Sequence, residues 1–182
     1  MPCRILLVSG SLRSASTNTA ALRTAVAVAP PGVDAVFYEG LAELPHLNPD
    51  DDAEPLHAAV AELRAEIRAA DAILFSTPEY AGALPGSFKN LLDWSIGDDQ
   101  PGSIYEKPAA WVNTSPRGAA GAIGELRTVL GYAHASIVDD ACLDVPLTPA
   151  ALDADGLVAD PASREQIASA LKALAAAACP SR

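Results

Sequence analysis

The stretch that decides the fold is residues 5–18, ILLVSGSLRSASTN. Residues 5–9 form a short, continuous, β-rich run, which is typical of a buried parallel strand. The run ends at Gly10 and Ser11, and small or apolar residues at helical spacing follow from Asn18 to about Ala29. This pattern predicts a strand, a glycine-containing loop and a helix, which together are the first unit of an α/β fold.

The same alternation continues along the chain. Further strands are predicted at residues 33–38, 72–76, 109–113 and near 136–143, and further helices at about 56–67, 85–95, 121–130 and 163–178. Residues 41–55 are rich in Pro, Asp and Asn and are predicted to be a loop. No repeat or linker divides the chain, so we expect one α/β domain over residues 1–182, with helices on both faces of the sheet.

Composition excludes several classes of protein. The chain has 182 residues and a net charge of −11, so it lacks the basic surface that binds nucleic acid or anionic membranes. Its apolar runs are too short for a signal peptide or a membrane span, which predicts a cytoplasmic protein. Cys3, Cys142 and Cys179 form no CxxC pair, which favours a reducing compartment without disulfides or a metal site.

Three predicted loops follow strands and should meet at the carboxyl edge of the sheet, where α/β proteins bind ligands. The first loop (residues 10–18) offers Arg13 and five short polar side chains beside a helix start, namely Ser11, Ser14, Ser16, Thr17 and Asn18. This density predicts a site for a phosphate monoester, because a plain helix cap needs only one hydroxyl. The chain has neither a P-loop nor a GxGxxG motif.

The other two loops differ in character. The second loop (residues 77–86, TPEYAGALPG) has Pro and Gly at a density that holds an irregular backbone close to a flat ligand, with Tyr80 as a wall. The third loop (residues 114–121) offers Ser115, backbone amides around Gly118 and the cation Arg117. Together the three loops predict a site for a flat, phosphorylated ligand.

The segments GSLRSASTN, TPEYAGALPGSFKNLLDW and NTSPRGAAGA, in this order and spacing, resemble the NADPH-dependent FMN reductase family. This flavodoxin-like group includes flavin, quinone, chromate and azo-dye reductases. The resemblance implies a three-layer α/β sandwich with a five-stranded parallel sheet in the order 2-1-3-4-5. It also implies bound FMN, with the phosphate held by Ser11, Arg13, Ser16, Thr17 and Asn18. The isoalloxazine would be lined by Pro78, Glu79, Tyr80 and Ala81, chiefly through backbone groups, and by Ser115 with Gly118.

The chain departs from the family pattern at three positions. Ala81 stands where the family usually has Asn, and Ala83 stands where it often has Ser, so we expect one polar contact to be missing. Arg117 replaces a usual Gly. Its side chain would either meet the 2′-phosphate of NADPH or face solvent, and the sequence favours neither.

The function that the resemblance implies is FMN-dependent NAD(P)H oxidoreduction. NADPH or NADH would deliver hydride to bound FMN, and a quinone, flavin, azo or metal-oxyanion acceptor would take it by a ping-pong route, with no catalytic side chain and no metal. The alternatives are a non-enzymatic flavodoxin-type electron carrier and a relative that has lost flavin.

The resemblance also implies a homodimer or homotetramer. The predicted third helix supports an oligomer, because its apolar side chains occupy more than one face: Phe88, Leu91, Leu92 and Trp94.

Overall fold

Strands and helices alternate in the computed structural model, which describes residues 1–180. The strands are β1 (Cys3–Ser9), β2 (Val33–Tyr38), β3 (Ala72–Ser76), β4 (Pro108–Asn113), β5 (Ser136–Ile137) and β6 (Leu143–Asp144). The helices are α1 (Thr17–Ala27), α2 (Ala58–Ala69), α3 (Gly86–Ile96), α4 (Ala120–Tyr132) and α5 (Pro161–Ala178). The predicted loop at residues 41–55 contains short 3₁₀ turns at Gly40–Glu43 and Pro49–Asp51.

The strands form one parallel sheet in the order β2-β1-β3-β4-β5. In the centre of the sheet, Leu6 of β1 is in register with Val36 of β2 and with Ile73 of β3. This is the flavodoxin order, and the predicted fold is confirmed. The strand order reverses at β1, because β2 lies on one side of it and β3 on the other. The loops after β1 and β3 therefore lie side by side at the carboxyl edge of the sheet.

Helices cover both faces of the sheet. Ile5 and Leu7 of β1 pack under α1 and α5, whereas Leu6 and Val8 pack under α2, α3 and α4. All four side chains are fully buried. Because both faces of the central strand are buried, its sequence is a continuous apolar run and not an alternating one.

The single fifth strand predicted near residues 136–143 is wrong. The structure has two two-residue strands instead, which flank a 3₁₀ turn at Asp139–Ala141. Ile137 pairs with Ala109, and Leu143 pairs with Val112. The segment from Ile137 to Leu143 is therefore longer than the segment of β4 from Ala109 to Val112 with which it pairs. The turn takes up the surplus and leaves the carboxylates of Asp139 and Asp140 exposed.

The surplus apolar face predicted for α3 is also wrong. Phe88, Leu91, Leu92 and Trp94 are each at most 1% exposed within the single chain. The Trp94 indole donates a hydrogen bond to the Pro45 carbonyl at 2.8 Å, because the segment between β2 and α2 wraps over the outer side of α3. This helix therefore gives no support to an oligomer.

The two ends of the described chain meet at the amino edge of the sheet. Cys3, which begins β1, is joined by a disulfide to Cys179 at the end of α5, so the expectation of a chain without disulfides is wrong. The Asp71 carboxylate lies close to both sulfurs. Sequence spacing could not reveal this pair, because only the folded sheet brings the first strand beside the last helix. None of the helices in residues 1–180 is long and apolar enough to span a membrane.

Candidate functional site

The three loops meet around a cavity of about 550 Å³ at the carboxyl edge of the sheet. This volume is typical of small-molecule sites, which range over roughly 300–1,000 Å³. The predicted site residues that line the cavity are Ser11, Arg13, Ser16, Thr17, Asn18, Pro78, Glu79, Tyr80, Ser115 and Arg117. Ala81 and Gly118 do not line it.

The first loop ends in the amino terminus of α1. Ser16 is the N-cap residue, and its hydroxyl accepts a hydrogen bond from the Thr19 amide at 3.3 Å. The amides at the start of a helix have no acceptor within the helix and carry the positive end of its dipole. At the start of the loop, a Cβ on Gly10 would collide with Thr77 Oγ1, so glycine is needed for this close approach to the end of β3.

Two of the predicted phosphate-binding side chains, those of Thr17 and Asn18, are hydrogen-bonded to residues outside the first loop and α1. Asn18 Oδ1 accepts hydrogen bonds from Ser76 Oγ at 3.0 Å and from Thr114 Oγ1 at 3.1 Å. Thr17 Oγ1 lies 3.0 Å from Thr114 Oγ1. These side chains fasten the first loop to the ends of β3 and β4, which leaves their backbone amides for a ligand.

Arg13 is exposed at the cavity, and no carboxylate within residues 1–180 forms an ion pair with it. Its guanidinium is therefore available to a ligand. A free guanidinium beside helix-terminal amides is suited to bind a phosphate group.

The second loop contains a tight two-residue turn. The Tyr80 and Ala83 backbones exchange hydrogen bonds at 3.0 and 3.1 Å. Between them, Ala81 and Gly82 have φ values of 52° and 77°, as in a type I′ turn. Asn tolerates this left-handed conformation far better than Ala does, which gives a backbone reason for the Asn that is usual in the family.

The carboxylate of Glu79 points toward the start of α4, where it is hydrogen-bonded. Its Oε2 accepts hydrogen bonds from the amides of Gly121 at 2.7 Å and Ala122 at 3.1 Å. The N-cap residue Ala119 has φ 46° and provides no side-chain cap, so Glu79 caps this helix from a distant part of the chain. The negative charge of Glu79 is partly offset by the positive end of α4.

The third loop is held by Asn113, a buried residue that the sequence did not single out. Its Oδ1 accepts from the Ser115 amide at 3.1 Å, and its Nδ2 donates to the Gly118 carbonyl at 2.7 Å. The loop therefore closes on itself and leaves Ser115 and Arg117 at the cavity. The signal that could have revealed Asn113 is a polar amide at the end of an apolar strand, where a buried group needs partners.

Sequence reasoning also missed a fourth wall, formed by Leu147, Thr148 and Pro149. The Leu147 amide donates to the Thr114 carbonyl at 2.9 Å, so this segment continues along the end of β4 beyond β6. The available signal was the alternation of the apolar residues Val145 and Leu147 with Asp144, Pro146 and Thr148, which is typical of an extended segment.

A larger neighbouring cavity, of about 720 Å³, lies beside the first loop and the end of β2. No residue of the second or third loop lines it. Only the smaller cavity therefore unites the three loops that the sequence predicts to form the site.

The comparisons with known proteins agree with this geometry. The family model described as NADPH-dependent FMN reductase matches residues 3–149. The chain belongs to this family. An NAD(P)H-dependent FMN reductase of Pseudomonas aeruginosa is 38% identical over 174 residues, which cover 94% of this chain and 92% of that protein. A probable NADPH:quinone oxidoreductase of Oryza sativa is 32% identical over 181 residues, which cover 95% of this chain and 87% of that protein.

A solved structure gives the same assignment. The flavoenzyme NAD(P)H:(acceptor) oxidoreductase FerB of Paracoccus denitrificans superposes with a TM-score of 0.80 at 29% identity and covers 94% of each chain. The family member described here is thus an enzyme of FMN-dependent NAD(P)H oxidoreduction. Its site fits FMN on its own geometry, because helix-terminal amides and an unpaired guanidinium suit the phosphate.

Proposed function

We propose that this reductase passes reducing equivalents from NADPH, through FMN, to a small-molecule acceptor by a ping-pong route. The acceptor class is a quinone, a flavin, an azo compound or a metal oxyanion. The observation that carries the proposal is the meeting of an anion-binding helix start, an irregular second loop and a third loop around one cavity. A quinone oxidoreductase among the relatives supports the acceptor class.

Each loop has a separate task in this proposal. The amides of Thr17 and Asn18, with Ser11, Ser16 and Arg13, hold the phosphate, while Pro78, Glu79 and Tyr80 face Ser115 across the ring. Ala81 and Gly118, which do not line the cavity, shape the turns beside it. Bound FMN supplies the hydride-accepting and hydride-donating chemistry. The side chains of this enzyme orient the partners, and none is assigned a proton transfer.

The cavity leaves one side open to visiting molecules. Tyr80 is the only aromatic residue that lines it among residues 1–180, so a flat ligand is not enclosed between two rings. The nicotinamide and the acceptor would need the same open side. The oxidised nucleotide therefore has to leave before the acceptor arrives, which is the reason for a ping-pong order.

The net charge of −11 does not oppose an anionic cofactor at this site. Arg13 and Arg117 both line the cavity, and the carboxylate of Glu79 is bound to α4. Charges farther away than about 10 Å are largely screened at 0.1 M salt. The local field at the cavity is therefore set by the two guanidinium groups.

Arg117 is proposed to give a modest preference for NADPH over NADH, because it is exposed at the cavity and the 2′-phosphate is the group that distinguishes the two nucleotides. A solvent-exposed ion pair contributes up to about 1 kcal/mol. Arg117→Ala should therefore reduce the ratio of kcat/KM for NADPH to kcat/KM for NADH about fivefold at low salt. The difference should fade at high salt. An unchanged ratio at low salt would assign the selectivity elsewhere.

The proposal is tested by steady-state consumption of NADPH with and without a quinone. We expect rapid consumption that depends on both FMN and the quinone, whereas a flavodoxin-type carrier would show only slow turnover. We further propose that residues 1–182 act as one domain, in the cytoplasm, as a homodimer or homotetramer. The cysteines no longer support this location, because Cys3 and Cys179 form a disulfide. Exposed Leu12 and Tyr80 near the cavity are apolar groups that a second subunit could cover. Sedimentation at micromolar concentration tests the assembly.

A further inference from the structure

The second loop has little regular structure of its own to hold its shape. Between the end of β3 and the start of α3 it forms only the turn at Tyr80–Ala83. Ala81 occupies a left-handed conformation that is unfavourable for an L-residue. Interactions from outside the loop therefore have to maintain this backbone.

Helix α4 supplies those interactions at both ends of the turn. Before the turn, Glu79 Oε2 binds the amides at the start of α4. After the turn, the buried Leu84 donates its amide hydrogen to Glu125 Oε2 at 2.7 Å. Gly121 and Glu125 are four residues apart, so they lie on the same side of α4.

The turn itself lies directly against this side of the helix. A Cβ on Gly121 would collide with the carbonyl oxygen of Gly82. Glycine at this position is thus what allows the tip of the turn to approach α4. Glu79, Gly121 and Glu125 together form a three-point clasp between the second loop and α4.

We propose that Glu125, with Gly121, is a positioning residue for the flavin ring, acting through the second loop. Neither residue lines the cavity, and the sequence resemblance assigned neither a role. The clasp fixes Pro78, Glu79 and Tyr80, which do line the cavity and, on the proposed function, border the ring. This inference rests on the proposed flavin site. It concerns the flavin ring only, because the phosphate is bound by the first loop in that proposal.

The test compares two flavins that differ only in the phosphate. Flavin-free protein is titrated with FMN and with riboflavin, and binding is followed by flavin fluorescence and visible circular dichroism. Glu125→Ala should weaken the binding of both flavins by the same factor, about fivefold, and should change the visible circular dichroism of the bound ring. The size corresponds to about 1 kcal/mol, the net value of one hydrogen bond. Glu125→Gln retains an acceptor oxygen and should restore most of the affinity.

Two further variants keep the test decisive. Gly121→Ala, which pushes the turn away from the helix, should reproduce the equal loss for both flavins. If Glu125→Ala does not fold, Glu125→Asp keeps the charge but withdraws the carboxylate by one methylene. Glu165→Ala, at an exposed glutamate of α5, is the matched control and should bind both flavins as wild type does.

The possible outcomes separate the two proposals. Equal losses for both flavins, with rescue by Gln, support the clasp. Wild-type affinities in Glu125→Ala and Gly121→Ala overturn it, even if the thermal stability falls, and so does a loss confined to FMN. Wild-type protein that binds neither flavin overturns the proposed function itself, and the inference with it.

Discussion

Ala81 illustrates how one residue can conflict with the backbone it occupies. Its φ of 52° at a type I′ turn suits Asn-Gly far better than the Ala-Gly of this chain. Ala81→Asn should therefore raise the free energy of unfolding by about 1 kcal/mol, as measured by urea denaturation. Ala83→Asn, in the same turn but without a positive φ, should give no gain. An Ala81→Asn variant that unfolds at the wild-type urea concentration or below would contradict this explanation.

Arg13 is the residue whose charge should separate FMN from riboflavin. It is exposed at the cavity, so its charge-assisted bond to a phosphate should lie near the lower end of the usual range, about 1.5 kcal/mol. Arg13→Ala should weaken the binding of FMN about tenfold and leave the binding of riboflavin unchanged, as measured by fluorescence titration. Arg23→Ala removes a neighbouring charge from α1 that does not line the cavity and serves as the control. Loss of both flavins alike would show that Arg13 does not contact the phosphate.

At the scale of elements, apolar patterning predicted every helix and the first four strands. β2 and β3 have the predicted bounds, because Pro-Gly and Asp residues interrupt the chain sharply beside them. The fifth strand failed because two exposed aspartates interrupt an apolar run, and the sequence does not show how far its partner strand extends. The prediction that α3 has a surplus apolar face was wrong because a loop from a distant part of the chain covers the outer side of this helix.

The end of β2 packs against α2 and gives a prediction about pH. Burial raises the pKa of Tyr38 to about 12, with further contributions from the carboxylates of Glu62 and Glu66 on α2. The buried hydroxyl has no hydrogen-bond partner among the described residues. Because the folded state holds the proton more tightly, this contribution to stability is present below pH 10 and is lost as the pH rises from about 10 to 12.

Tyr38→Phe removes both the titration and the unpaired hydroxyl. At pH 7 the variant should be about 1 kcal/mol more stable than wild type, since an unsatisfied buried hydroxyl costs about that much. Between pH 10 and 12 it should lose less stability than wild type does. Urea unfolding at both ends of this range measures the difference, with Tyr132→Phe, at a largely exposed tyrosine, as the control. Parallel loss of stability in Tyr38→Phe and wild type would contradict the assigned cause.

At the scale of the whole molecule, the sequence predicted which loops meet but not what holds them. Ser11, Arg13, Tyr80 and Ser115 converge because parallel strands end at one edge of the sheet. The contacts that fix the loops join segments far apart in the chain, and no local pattern reports such pairs. The wall at residues 147–149 and the link between the two chain ends were missed for the same reason.

One site is proposed to take hydride from NADPH and later to give it to an acceptor. Sequential anaerobic mixing of the FMN-loaded protein, followed by visible absorption, tests it most directly. NADPH in equimolar amount should bleach the flavin absorption, and a quinone added after removal of the nucleotide should restore it at a rate consistent with steady-state turnover. Absence of bleaching, or recovery that requires nucleotide and quinone together, would contradict the account.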